Sequence, residues 1–410
     1  MKKYTVTIIL LFMPLFLYSQ SVSNSCLDCH AEMEDELLQP ALTISEDLHH
    51  EIGLSCAGCH GGDPSSDDPE IAMSPASGFV GAPKERQIPQ FCGKCHSDPV
   101  FMRNFNPGLA VDQVDKYWTS HHGMSLKKGD KKVAQCVSCH SVHDIKKAND
   151  PRSAVYFGNV PGTCAKCHSD AEYMKPYGLP VTQYQEYVES SHGEALLIRK
   201  DGGAPACNDC HGNHAAMPPG ISSIGNVCHQ CHPAEADLFS VSSHSQNFEI
   251  LGEAECVFCH QSHHVVHPTD DLIGTHEGAV CMKCHSADDE GAAAAAVMKS
   301  SVSELSETYT KSIELIDTAE RKGVAVSREQ FELREVRNSL VNLRKLVHTF
   351  DPDSMTAFAG LAMESANHAV VSGESAVEEV KNRRSGFYVF TAINLLVILL
   401  LVVRMKVKGK

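Results

Sequence analysis

The chain has 410 residues, a formal net charge of −16 and 18 cysteines. The acidic balance excludes nucleic-acid binding, which needs a basic surface, and suits partners that present basic patches.

From the N-terminus, Lys2 and Lys3 precede an apolar run from Tyr4 to Tyr18 that Pro14 interrupts, and small or polar residues follow from Ser19 to Ser25. That order of charge, apolar core and small residues reads as a secretory signal over residues 1–20, with cleavage near Ser19–Ser21. The run is too short to span a bilayer comfortably.

Nine copies of Cys-x-x-Cys-His then follow one another and use every cysteine in the chain. Their cysteines are Cys26 and Cys29, Cys56 and Cys59, Cys92 and Cys95, Cys136 and Cys139, Cys164 and Cys167, Cys207 and Cys210, Cys228 and Cys231, Cys256 and Cys259, and Cys281 and Cys284. The histidines that close them are His30, His60, His96, His140, His168, His211, His232, His260 and His285. The motif is the attachment signal of c-type haem. Two thiols one helical turn apart add to the two vinyl groups of one haem, and the next histidine is held under the iron. A disulfide framework would not require a histidine after every second cysteine. Zinc takes its ligands in tetrahedral sets, not in isolated pairs that each end in histidine. The expectation is nine covalent haems.

The motifs sit inside a repeat. CGKCHSD from Cys92 is followed by Tyr117-Trp118-Thr119-Ser120-His121-His122-Gly123 and then CVSCHSVH ending at His143. The pattern returns from Cys164 through Ser191-His192-Gly193 to His214, and from Cys228 through Ser243-His244 to His263. A degenerate copy opens the series, with Leu48-His49-His50 between Cys26 and Cys56, and the motif at Cys281 starts a unit that is not completed. Repetition in fixed order indicates duplicated modules, here with two haems each. It also marks histidines outside the motifs, at fixed offsets, as ligands for the second face of each iron. The expected distal set is His50, His122, His143, His192, His214, His244 and His263, completed by His276 and His348. His49, His121, His264 and His267 stand as rivals for the last places. His229 lies inside its own motif and is not expected to serve that haem. Met124, Met174 and Met217 lie near haem segments and could also serve as ligands, with packing the favoured reading.

Residues 26–285 carry the nine motifs on about 29 residues each, too little chain for an ordinary core around every cofactor. The haems themselves must then be the core. The expected fold is mainly α, with short helices at the motifs, extensive irregular loops and very little strand. Closely spaced porphyrins, stacked or T-shaped, are expected with it.

After Ala292 the cysteines cease. Val302, Leu305, Tyr309, Ile313 and Ile316 recur at three- and four-residue steps and predict an amphipathic helix ending near Lys322-Gly323. Ser327 with Gln330 reads as a capping box for a second helix. That helix carries Leu333, Val336, Leu340, Leu343 and Val347 and stops at Asp351-Pro352-Asp353. A third helix from about Ser354 leads into the apolar run Phe387–Val403, close to the length a spanning helix needs. Arg404, Lys406, Lys408 and Lys410 follow it. A basic tail stays on the cytoplasmic side. The expected organisation is a signal at 1–20, a nonahaem domain at 21–290, a helical region at 291–385, a transmembrane helix at 386–404 and a basic tail at 405–410. The haem domain would lie in the periplasm, anchored to the inner membrane by its C-terminus.

The Ser-x-His-Gly segment followed by Cys-x-x-Cys-His-x-x-His resembles a module of the multihaem c-type cytochromes of bacterial respiratory chains. Residues 92–263 match it best and 26–60 loosely. The helical region with Val347-His348 resembles the C-terminal tails of some members. The resemblance implies that both extra histidines are distal ligands. It also implies an electron relay between the quinone pool and periplasmic or extracellular acceptors, beside a membrane b-type or other quinone-reactive subunit and other c-type cytochromes. The C-terminal anchor departs from the N-terminal helix of the tetrahaem quinol dehydrogenases and favours a separate quinone-reactive partner. The rival reading is a reductase of nitrite, hydroxylamine or a sulfur oxyanion with one open haem. Nitrite reductases of this group often use Cys-x-x-Cys-Lys at the active haem, and here every motif ends in histidine, so no catalytic residue is assigned.

Overall fold

The computed structural model describes residues 24–218 and 224–408. The expected signal segment and Lys410 lie outside them. Among the described residues the regular structure is helical and no strand occurs. Backbone contacts divide the chain into two compact units, Met1–Val181 with Lys200–Met217, and Thr182–Arg199 with Pro218–Lys410. The division falls inside the motif-bearing region.

In the first unit almost every helix is short, and two kinds of motif helix alternate. Ile88–His96 and Val160–His168 have nine residues each, with a proline in the first turn. Each is followed by an aspartate, Asp98 or Asp170, whose carboxylate accepts from the backbone of the next short helix. Cys56–His60, Cys136–His140 and Cys207–His211 have five residues each. They stop on Gly61, Ser141 and Gly212, all at φ near +70° with ψ extended, a region that belongs to glycine. That exit turns the chain sharply and re-aims the residues that follow the motif.

The repeated serine segment is a local device. Ser120 caps the helix His121–Lys127: its Oγ accepts from Gly123 N at 2.9 Å and donates to Tyr117 O at 2.6 Å. A side chain at Gly123 would collide with the Tyr117 carbonyl. Ser190, Gly193 and Tyr187 repeat the arrangement in the second unit, with the same collision prevented. Ser242 repeats it with Ser245 in place of glycine. The motif thus fixes a turn whose next residues, His122, His192 and His244, leave in a defined direction.

The second unit ends in three long helices, Glu290–Arg321, Ser327–Leu346 and Pro352–Lys408. Val302, Leu305, Val336, Leu340 and Leu343 are buried together with Met355, Ala359, Ala362, Ala366 and Ala369. The alanines recur every three or four residues along one face of the third helix and let it approach the first closely. Gly373 continues that face against Leu315. Asp289 caps the first helix through Ala292 N at 2.8 Å. The expected capping box of the second helix does not form: Val326 precedes it without a side-chain cap, and Gln330 Nε2 reaches across to Glu320 Oε1 at 3.0 Å. The five-residue connection 322–326 leaves Gln330 beside the preceding helix, where Glu320 takes it in place of the local cap. The third helix runs without a break from the bundle through the apolar stretch. It is long and apolar enough to cross a membrane, with none of its most apolar window buried. At the base of the bundle Arg383 Nη1 donates to Gly323 O at 3.2 Å.

Candidate functional site

All eighteen cysteines are free of disulfides. In most motifs the two cysteines and the histidine lie on one short helix, so the thiols are one turn apart and the imidazole follows on the same side. At Cys281 the helical turn is Val280–Lys283 and His285 lies just beyond it.

At least seven of the motif histidines among the described residues each face a second imidazole. The ring centroids are 5.9 Å apart for His96 and His49, 6.1 Å for His60 and His143, and 6.2 Å for His168 and His122. They are 6.1 Å apart for His140 and His214, and 6.3 Å for His232 and His192. The last two pairs, His285 with His244 and His260 with His348, are at 6.0 and 6.1 Å. An imidazole nitrogen sits about 2 Å from a bound metal and about 1 Å from its own ring centre, so rings on opposite faces of one ion have centroids about 6 Å apart. The spacing fits an iron between each pair, and direct ring stacking would be tighter. Among the described residues no three His, Cys, Asp or Glu side chains converge as a metal cluster; the histidines meet in twos, unlike the sets zinc takes.

The other ring nitrogen sets the ligand. His30 Nδ1 lies 2.9 Å from Leu37 O, His60 Nδ1 2.9 Å from Gly81 O, and His348 Nδ1 2.9 Å from Lys345 O. A carbonyl only accepts, so the proton sits on Nδ1 and the lone pair is left on Nε2 for a metal. His49 is held differently. Asp47 is 2 % exposed, and its Oδ1 takes His49 Nδ1 at 3.1 Å and His49 N at 2.7 Å, while Oδ2 takes Ile145 N at 2.8 Å. Burial works to raise the Asp47 pKa, but these hydrogen bonds hold it below the usual carboxylate value. Burial comes first, and the facing imidazole second, in pushing down the pKa values of His122, His140, His143, His192, His244 and His260. Each is kept neutral and able to donate a lone pair.

Of the expected distal residues, the structure therefore brings His122, His143, His192, His214, His244 and His348 opposite motif histidines. It does not bring His50 there. In the one-turn helix Leu48–Glu51, neighbours point about 100° apart, and His49 is the one turned inward while His50 is exposed. Nor does it bring His276 there: that ring is exposed, with Nδ1 3.0 Å from Glu277 O. His263 Nδ1 lies 3.7 Å from Glu186. Met174 is 5 % exposed and packs, as expected, whereas Met217, read the same way, is exposed at 41 %. Sequence reasoning missed Asp47, whose spacing two residues before His49 was the available signal. It also missed Phe350, which stacks on His244 at 3.8 Å.

Successive motifs touch through their sulfurs, in alternation. The first cysteines of two motifs meet at Cys92 and Cys136, Cys164 and Cys207, and Cys228 and Cys256, where the thiols are hydrogen-bonded to each other. The second cysteine of the later motif then lies near the next motif: Cys139 near Cys164 and Cys167, and Cys259 near Cys281 and Cys284. Cys59 similarly lies near Cys92 and Cys95, and Cys26 near Cys56. Within each unit the order in space follows the order in sequence.

Residues 227–307 match the family model described as cytochrome c554 and c-prime. No curated protein and no solved structure matches the chain. The matched segment contains three of the motifs together with His244. That match supports a c-type cytochrome, with covalently held haem and a role in electron transfer.

Proposed function

We propose that the protein carries nine covalent haems and relays electrons between a quinone-linked membrane partner and periplasmic or extracellular acceptors, held to the inner membrane by its C-terminal helix. The observation that carries this reading is the series of imidazole pairs, spaced for one iron each and strung in sequence order. Haem supplies reversible one-electron chemistry, at lower potential under two histidines than under histidine and methionine. The chain's own residues hold both faces of the iron, fix the tautomer through backbone carbonyls, and keep the rings neutral by burial. Iron closed by two imidazoles offers no place to a substrate. This supports a carrier over a reductase at those seven positions.

The bundle bears on the partner. His348 ends the second long helix, and the third starts at Pro352. From Pro352 to Phe387, where the apolar run begins, the helix advances about 50 Å. Haems held by His260 and His285 would thus be raised on a stalk, while tunnelling rates fall exponentially with distance. A quinol in the bilayer needs an intermediate subunit to reach them. The test is whether purified protein shows nine haem additions by mass spectrometry and nine reversible one-electron couples at low potential. Sustained reduction of nitrite or tetrathionate from a dye donor, on the order of 1 per second or faster, would replace the relay by an enzyme. Cutting after Arg383, which ends the contacts of the bundle base, should release soluble protein with all its haems. Truncated protein that stays in membranes would count against the anchor.

A further inference from the structure

One carboxylate stands where the other repeats have a hydroxyl. Ser120, Ser190 and Ser242 lie two residues before His122, His192 and His244 and cap their helices. Each hydroxyl accepts a backbone N–H three residues on and donates to a carbonyl three residues back. Asp47 holds that place before His49 and caps the helix Leu48–Glu51. Backbone pairing shows the positions to be equivalent. Leu48 N donates to Ile145 O at 2.8 Å, His121 N to Ala216 O at 3.0 Å and Ser191 N to Val265 O at 3.0 Å. Each donor precedes its histidine by one residue, and each acceptor lies two residues after His143, His214 or His263.

The carboxylate does what the hydroxyl does not: it reaches the ring. Asp47 Oδ1 lies 3.1 Å from His49 Nδ1, and Oδ2 takes Ile145 N at 2.8 Å. Asp47 is 2 % exposed, and Lys146 on the facing segment donates instead to Glu46 O and Oε2, both at 2.7 Å. A carboxylate only accepts, so His49 donates from Nδ1 and keeps its lone pair on Nε2. A negative partner behind a ligating imidazole draws on its proton more strongly than a neutral carbonyl does, and so makes the ring more basic toward the metal. Ferric iron carries one more positive charge than ferrous iron. A more basic ligand and a buried negative charge therefore both favour the oxidised state. Asp289 also approaches a motif histidine, at 3.3 Å from His285 Nδ1, but its side chain is 38 % exposed and water screens it.

We propose, on the relay reading above, that Asp47 tunes one haem, the one on Cys92 and Cys95, to a lower potential than the haems faced by His122 and His192. Cys59 lies near Cys92 and Cys95 on one side, and Cys136 meets Cys92 on the other. An electron passing between the first two motifs and the later ones would then meet an uphill step at this haem, which stays oxidised while its neighbours fill.

The experiment is a spectroelectrochemical titration of full-length holoprotein, with haem counted by mass spectrometry and spin state read by electron paramagnetic resonance. His49→Ala assigns the couple, since it should turn that haem alone high-spin. Asp47→Asn keeps the size of the side chain and removes its charge, and Asp47→Ser installs the residue of the other repeats. Both should keep the haem content and the low-spin signals of the wild type. In both, the assigned couple should rise by about tenfold in its reduction equilibrium, about 59 mV for one electron. Glu46→Gln removes an exposed neighbouring charge that does not touch the ring, and should leave the couple in place. An unmoved couple in both Asp47 variants overturns the inference, as does an equal shift in Glu46→Gln. A high-spin signal in both Asp47 variants would make Asp47 a support for the position of His49 and overturns the tuning role as well. Mature wild type without haem on Cys92 and Cys95 overturns the relay reading with it.

Discussion

The motif-bearing stretch and the helical bundle solve the problem of a core in opposite ways. Between residues 24 and 285 the buried apolar side chains are few and scattered, such as Met102, Leu126, Met174 and Leu196, and almost none of them join a contiguous cluster. The bundle packs Val302, Leu305, Ile316, Val336, Leu343 and Met355 at 0 % exposure. One region is organised around pairs of histidines that need something between them. The other is organised around side chains that need only each other. The difference teaches where stability resides: in the first region folding and cofactor attachment are one process, and in the second they are separate.

The largest expected effect breaks the comparison directly. Expressed in a host that cannot attach haem, residues 24–285 should be fully exposed to hydrogen exchange and proteolysis, whereas 290–383 should remain protected. Equal protection of both regions without haem would show that the first has a core of its own.

Next in size is Leu305→Ala. Leu305 is fully buried in the bundle, and removing it should cost about 2–5 kcal/mol. The loss should appear in the melting of the bundle, followed by helical circular dichroism, with the Soret spectrum of the haems unchanged. A matching loss of haem absorbance at the same temperature would mean that the two regions melt as one.

His348 is where the two designs meet. It follows directly on a bundle helix and faces His260, while Phe350, two residues on, stacks on His244. His348→Ala should convert one haem from low-spin to high-spin and add one carbon monoxide per chain, with the bundle's melting shifted by no more than about 1 kcal/mol. An unchanged spectrum would remove His348 from the ligands.

How much of this was legible follows the same line. The motifs, the repeated offsets of His122 and His192, and the three- and four-residue spacing of Val302, Leu305 and Leu340 are local patterns, and local patterns are visible in a string. Which repeat's histidine faces which motif histidine is not local, because the facing ring comes from the neighbouring repeat. The choice of His49 over His50 depended on helical phase in a single turn and on the buried Asp47. The capping box at Ser327 failed because Gln330 found Glu320 on another helix, a competitor that the spacing of residues cannot show.

The smallest expected effect sharpens the comparison at the level of the backbone. Four short motif helices leave through the same glycine-type conformation, at Gly61, Ser141, Gly212 and Gln261. At Gln261 φ is 66° and ψ 178°, and the residue is exposed. A side chain held there costs about 1–3 kcal/mol. That strain persists because the turn must aim the residues after the motif, and haem attachment on the motif itself fixes the helix that enters it. Gln261→Gly should relieve most of the strain, offset in part by the greater freedom glycine has in the unfolded chain, for a net gain of about 1 kcal/mol. Gly212→Gln should lose about as much. The pair is best read as opposite shifts in the thermal midpoint of the holoprotein, with haem content and spectrum unchanged. If Gln261→Gly destabilises instead, the side chain makes a contribution that outweighs its backbone, and the shared exit is a consequence of haem attachment rather than a conformation the chain has to be held in.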